Sequence, residues 1–310
     1  MNFFKEPPAI SWPTWLQRRL FSFPRPPKPL PLKTIPLQIS YLGTKPSKTS
    51  AINALSYTKF LNQHFSTVFP LQIPSKIFES LDNRLIGAEI RTPSNQLVGV
   101  VFSFYLGKIE NVEVGLITWL CIHPEHRKKG LADVLLHAVQ TFSYPRTIHF
   151  FRNDGWLKSP LPPLWTETRI FRKQMYRHSK HVRRHSLESK QGLIINSWKK
   201  EHPEGLILDD PKVINSLTEV WTYGQTLILL QPTFEQRWCE VIYWVSELSN
   251  YETALNIEVI LDALPYTHID APQQMPHTLE WSIGGQSSWT VHGLDPGSPV
   301  LRPVLSLLGV

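Results

Sequence analysis

Leu116-Ile117-Thr118-Trp119-Leu120-Cys121-Ile122, followed by His123-Pro124-Glu125-His126-Arg127-Lys128-Lys129-Gly130-Leu131-Ala132, is the stretch on which the reading of this 310-residue chain turns. The first seven residues are an apolar run of strand length. The helix that follows the turn places Leu131, Val134, Leu135, Ala138 and Phe142 at helical spacings, so one face is apolar. Between them, Arg127, Lys128 and Lys129 put three cations at a helix N-terminus, where the macrodipole opposes each by roughly 0.3–1 kcal/mol. An anionic ligand removes that penalty, and a strand ending in a Gly-containing turn before a helix aims main-chain N–H groups at one spot. A pyrophosphate suits it. The same pattern also fits a buried strand and a basic helix start in an ordinary α/β domain.

The spacing Arg127-x-x-Gly130-x-Ala132 after a hydrophobic strand resembles the acyl-CoA-binding turn of the GNAT acyltransferases. The longer run Leu120-Cys121-Ile122-His123, Arg127-Lys128-Lys129, Leu131-Ala132 and Val134-Leu135 resembles the matching segment of protein N-myristoyltransferase. Trp119 stands where that family usually has Phe, and Gly130 where it has a second basic residue. The resemblance implies an α/β (α+β) fold: a GNAT-like mixed sheet with flanking helices, in two tandem GNAT-like halves. It implies an acyl-CoA co-substrate, myristoyl-CoA or another, held by Cys121, Ile122, Arg127, Lys128, Lys129, Gly130, Leu131 and Ala132. It further implies that main-chain amides at Trp119 and Leu120 receive the thioester oxyanion, and that the terminal carboxylate, here Val310, is the base. On general GNAT grounds Glu113 competes for that last role. The acceptor it implies is a protein or peptide N-terminus.

Composition bounds the alternatives. At 42% hydrophobic residues the chain can build a sizeable core, and its length suits about two domains. Two cysteines, Cys121 and Cys239, with the first inside an apolar strand, speak against a disulfide framework. No apolar run approaches the ~18 residues of a membrane span, and no signal segment opens the chain, so it reads as soluble and cytoplasmic. The net charge of +7 is uneven: residues 1–36 hold six Lys/Arg against Glu6, and residues 172–190 hold seven against Glu188. Basicity therefore belongs to a tail and a loop, which argues against a built-in nucleic-acid groove.

Residues 1–36 carry nine of the 27 prolines, so they form an extended arm. Its stretch Trp12-Pro13-Thr14-Trp15, through Phe23, suits a protein groove or a membrane interface, or packs back on its own domain. From 37 to 190 a GNAT-like acyl-CoA-binding half is expected: a helix within Lys48–Phe69, a short helix after Pro74, strands at Leu85–Arg91, Leu97–Tyr105 and from Val114, then the helix from Leu131 and a strand at Thr147–Arg152. Next comes a Pro-rich loop leading to Arg169, which loosely matches the myristoyltransferase pattern. Arg172–Lys190 reads as a solvated loop. Its His178, His181 and His185 lack a second ligand pair of defined spacing, so no metal is expected.

Residues 191–310 read as a second, degenerate half, with strands Thr226–Leu230 and Trp238–Ser246, a helix around Ala254–Leu264, and strands near Leu279–Ile283 and Ser288–His292. Ser246-Glu247-Leu248-Ser249-Asn250 offers no basic Gly-containing turn, and Ile283-Gly284-Gly285 resembles a late strand turn of that family's second half. Three functions stay open: an N-myristoyltransferase-like N-acyltransferase, a short-chain GNAT N-acetyltransferase, and a non-catalytic scaffold or assembly protein on the same fold.

Overall fold

A computed structural model describes residues 37–42, 54–65, 72–75, 77–78, 85–109, 112–143, 147–154, 165–174, 177, 179–201, 206–208, 218–233, 237–278, 281–292 and 304–306. The arm 1–36, most of the Pro-rich loop and Val310 lie outside these residues. The chain forms two compact units, residues 1–166 with 288–301 and residues 167–287 with 302–310. The expected division at 190 and 191 falls inside a helix, Leu187–Glu201, of the second unit.

In the first unit β1 (Gln38–Leu42) is followed by helix α1 (Ala54–His64), the meander β2 (Leu85–Arg91), β3 (Leu97–Ile109) and β4 (Val112–Ile122), helix α2 (Leu131–Ser143) and β5 (Thr147–Asp154). The sheet order is β1-β2-β3-β4-β5. The first four strands are antiparallel neighbours, and β5 joins β4 in parallel, as expected when a helix carries the chain across. Two apolar layers hold this sheet. On one face Leu131, Leu135, Leu136, Ala138 and Val139 of α2 pack on Ala88, Ile90, Val98, Val101, Ile117 and Ile122, all buried. Each full burial of such a side chain contributes roughly 1.5–3 kcal/mol. Close packing there needs Gly99, where a Cβ would stand 2.7 Å from Ile122 Cδ1 and 3.1 Å from Leu135 Cδ1. An aromatic cluster forms the other layer. Tyr57 of α1 meets Phe102 edge-on at 5.4 Å, and Trp119 meets Phe78 at 5.2 Å and Phe104 at 4.9 Å.

The second unit repeats the plan. Its elements are β6 (Trp165–Lys173), β7 (Arg183–His185), helix α3 (Leu187–Glu201), β8 (Leu206–Leu208), the meander β9 (Glu219–Tyr223), β10 (Thr226–Pro232) and β11 (Trp238–Ser246), helix α4 (Asn250–Asp262) and β12 (His268–Pro272). After β13 (Ser282–His292), β14 (Val304–Ser306) pairs in parallel with β8. Meander, helix, parallel strand: β9-β10-β11, α4 and β12 stand to one another as β2-β3-β4, α2 and β5 do. The core of this unit is Ile228, Leu230, Val241, Ile257, Ile260, Leu261 and Ile269. The mixed sheet with flanking helices, doubled in one chain, is the architecture.

The structure corrects three sequence readings. Arg172–Lys190 is not one solvated loop: it holds the end of β6, all of β7 and the first turn of α3. Its charges are partly consumed, Arg172 by Glu258 and Asp262, and Arg184 by Glu219 at 2.8 Å. The two late strands are one, Ser282–His292. Strands β1, β6, β7, β8, β9, β12 and β14 and helix α3 were not expected; β12 is five residues, His268–Pro272, carrying a His, an Asp and a Pro, too short and too polar for periodicity to reveal. No helix among the described residues is long and apolar enough to cross a membrane.

Candidate active site

Strand β4 does not run straight through its ladder. Phe102 faces Thr118 and Val100 faces Cys121, so two residues of β4, Trp119 and Leu120, stand against the single residue Val101. This is a β-bulge, and Trp119 takes φ +49°, a left-handed conformation rare for a bulky side chain. The hydrophobic pattern explains it. Ile117, Leu120 and Ile122 all face the α2 layer, which strict alternation forbids, and the extra residue shifts the parity between Ile117 and Leu120. Trp119 thereby turns to the aromatic layer and is 9% exposed. Backbone in such a region costs on the order of 1–3 kcal/mol and concentrates at functional sites.

On its other edge β4 parts from β5. The parallel register runs from Glu113↔Thr147 to Ile117↔Phe151 and stops there, although β4 continues to Ile122 and β5 to Asp154. The bulge thus falls just past the point where the two strands separate. Glu113 sits half-buried at the far end of the paired segment, six residues from Trp119 and so about 20 Å along the strand. That span keeps its carboxylate away from the bulge.

Beyond Ile122 the chain makes a single 3₁₀ turn, Pro124–His126, with the His123 N–H bonded to the Val98 carbonyl at 2.8 Å. Arg127 then stitches the turn in place. Its Nε donates to the Ile122 carbonyl at 2.9 Å and its Nη2 to the His64 carbonyl at the end of α1. Lys128, at φ +63°, and Lys129 are exposed. Gly130, at φ +78°, is the residue whose carbonyl accepts the Val134 N–H, which makes it the cap of α2. A Cβ there would meet no atom within 4 Å; what demands glycine is the dihedral. The first N–H groups of α2 have no partner within their own helix. Cations, dipole end and exposed main chain converge at residues 128–131.

The residues expected to hold a co-substrate divide accordingly. Arg127, Lys128, Lys129 and Gly130 lie on the exposed turn, Ala132 is half-buried, and Cys121, Ile122 and Leu131 are core residues that present only main chain. Burial pushes the Cys121 thiol up to about 12, against a smaller opposing effect of Arg127, so it is protonated and unreactive near neutral pH. The anchoring of Arg127 was not visible in the sequence, because its partner carbonyl lies 63 residues away. A buried pair, Ser103 Oγ and His149 Nδ1 at 2.9 Å, was likewise missed, its members being 46 residues apart.

No protein-family model matches the chain, and no curated protein matches it in sequence. Solved structures do. The crystal structure of Saccharomyces cerevisiae N-myristoyltransferase with bound myristoyl-CoA superposes on 89% of this chain and 90% of its own, at TM-score 0.57 and 12% identity. A second structure of that enzyme with bound myristoyl-CoA covers 94% of this chain and 88% of its own, at TM-score 0.58 and 12% identity. The chain has the N-myristoyltransferase fold. In a third, with inhibitors also bound, the match covers 94% of this chain at TM-score 0.55. The likeness in fold thus spans both units, not the turn at residues 123–130 alone.

Proposed function

We propose that the chain is an acyl-CoA-dependent N-acyltransferase of the N-myristoyltransferase kind, moving an acyl group from a CoA thioester to the N-terminal amine of a peptide or protein. The observation that carries this reading is the bulge at Trp119–Leu120, placed between the parting of β4 from β5 and the cationic turn. The CoA pyrophosphate is held at Lys128, Lys129 and the N-terminus of α2, with Gly130 leaving the main chain open. The thioester carbonyl is received at the main chain of the bulge, Leu120 foremost. There an N–H fixed by the fold stabilises the oxyanion as the amine nitrogen attacks, without reorganising at that moment. The carbon–nitrogen bond forms, the carbon–sulfur bond breaks, and the thiolate of CoA leaves. The amine gives up its proton to a base.

Exchange of the Leu120 main-chain amide for an ester, by semisynthesis, tests the assignment. Loss of one such donor lowers turnover by about 10²–10³-fold while leaving acyl-CoA binding as it was; unchanged turnover with a peptide amine rejects it. A non-catalytic role on the same fold is favoured by one observation, that Arg127 spends its guanidinium on two carbonyls. Bound acyl-CoA with no transfer to any amine, for acetyl and myristoyl donors alike, selects that second reading.

A further inference from the structure

The 3₁₀ turn before the cationic residues gathers a different set of side chains. His123, Glu125 and His126 each bring one ligand atom, and these atoms lie within 4.8 Å of one another. We infer that His123, Glu125 and His126 form a binding site for a divalent first-row transition ion, with zinc as its representative.

The geometry is near what such an ion requires. Ligands bound at about 2.0–2.1 Å in a tetrahedron stand roughly 3.3–3.5 Å apart, so small rotations of these side chains close the set. Glu125 is exposed and both imidazoles are half-buried, which gives the carboxylate freedom to adjust. Each imidazole can bring one ring nitrogen to the set. His126 Nδ1 is buried and has no hydrogen-bond partner among the described residues, an unmet demand that a metal–nitrogen bond satisfies. His123 Nδ1 accepts a long hydrogen bond, 3.4 Å, from the Glu125 N–H, so a metal there either replaces that bond or takes Nε2. The backbone beneath is fixed: Pro124 begins the turn, the His126 N–H bonds the His123 carbonyl at 2.9 Å, and the Arg127 N–H bonds the Pro124 carbonyl at 3.2 Å. The His64 ring packs 4.5 Å from that of His123 and walls one side. Arg127, one residue on, opposes an added cation, but its guanidinium is held by the carbonyls of Ile122 and His64, and Glu125 supplies a neutralising charge. Two imidazoles and a carboxylate leave a fourth position open, as in zinc sites that keep a water or a ligand oxygen.

Titration of the full chain with zinc chloride, followed by calorimetry, tests the site against two variants. Glu125→Gln keeps the shape of an exposed side chain and is expected to weaken zinc by more than roughly tenfold, and His123→Ala/His126→Ala to weaken it further, with melting profiles showing both variants folded. A control lacking the histidines at 178, 181 and 185 is expected to bind as the parent does. No binding by the parent, equal binding by the Glu125→Gln and double variants, or loss confined to the control overturns the assignment.

Discussion

Two strand–turn–helix junctions, β4 into α2 and β11 into α4, occupy equivalent places in the two units and have opposite characters. Both strands carry an irregularity in an antiparallel ladder, Trp119 and Leu120 against Val101 in the first, and Ile242 inserted between Val241 and Tyr243 in the second. Both helices carry an acid in the first turn, Asp133 and Glu252. The difference is the cap. Ser249 accepts the Glu252 N–H while the Glu252 carboxylate accepts the Ser249 N–H, a complete capping box that closes the start of α4 with its own chain. In α2 the same position is Gly130, which has no side chain to reciprocate, and three cations precede it. One helix start satisfies itself. The other has no side chain at its cap with which to do so.

Three changes break or sharpen that contrast. Trp119→Ala removes the aromatic that the bulge turns toward Phe78, Phe102 and Phe104, and is expected to cost about 3–5 kcal/mol in urea denaturation. A cost under ~1 kcal/mol would show that the bulge does not depend on that layer. Ser249→Ala should cost about 1 kcal/mol, read as a lowered melting temperature, with acyl-CoA binding expected to stay as it was because that helix start is closed by its own residues. The smallest effect is in pH. Burial, with Lys173 adding to it, pushes the His268 pKa below its ordinary value, and the ring stacks on Trp238 at 4.9 Å. The unfolded chain therefore takes up this proton at higher pH than the folded one. Stability from His268 is full above its unfolded value, about 6.5, and is lost as pH falls toward the folded value. His268→Gln should flatten the dependence of the denaturation midpoint over that window.

The sequence was most legible where one physical rule dominated. β4, its turn and α2 were readable because apolar periodicity changes from strand to helix across a charged, Gly-containing link, and β11 was readable at Trp238–Ser246 from its aromatic and β-branched run. The capping box is also legible in the sequence as Ser249-x-x-Glu252, a pattern that marks a helix start. What could not be read depends on distant partners. β6 pairs with β12, about a hundred residues further along the chain, and its Arg169 meets Glu240 at 2.7 Å and Asp270 at 3.2 Å, partners that no local pattern shows. Arg127 reads as a phosphate ligand in sequence, whereas in the fold its guanidinium joins α1 to the end of β4. Within the proposed function, Lys128 and Lys129 are therefore the cations we assign to the anionic ligand.

Calorimetric titration of myristoyl-CoA into the full chain and into Lys128→Ala/Lys129→Ala measures that claim most directly. Charge-assisted contacts of about 1.5–3 kcal/mol each predict binding by the parent at a single site and an affinity lower by at least roughly tenfold in the double variant. Equal affinity in the two proteins, or no heat from the parent with either myristoyl-CoA or acetyl-CoA, contradicts the account.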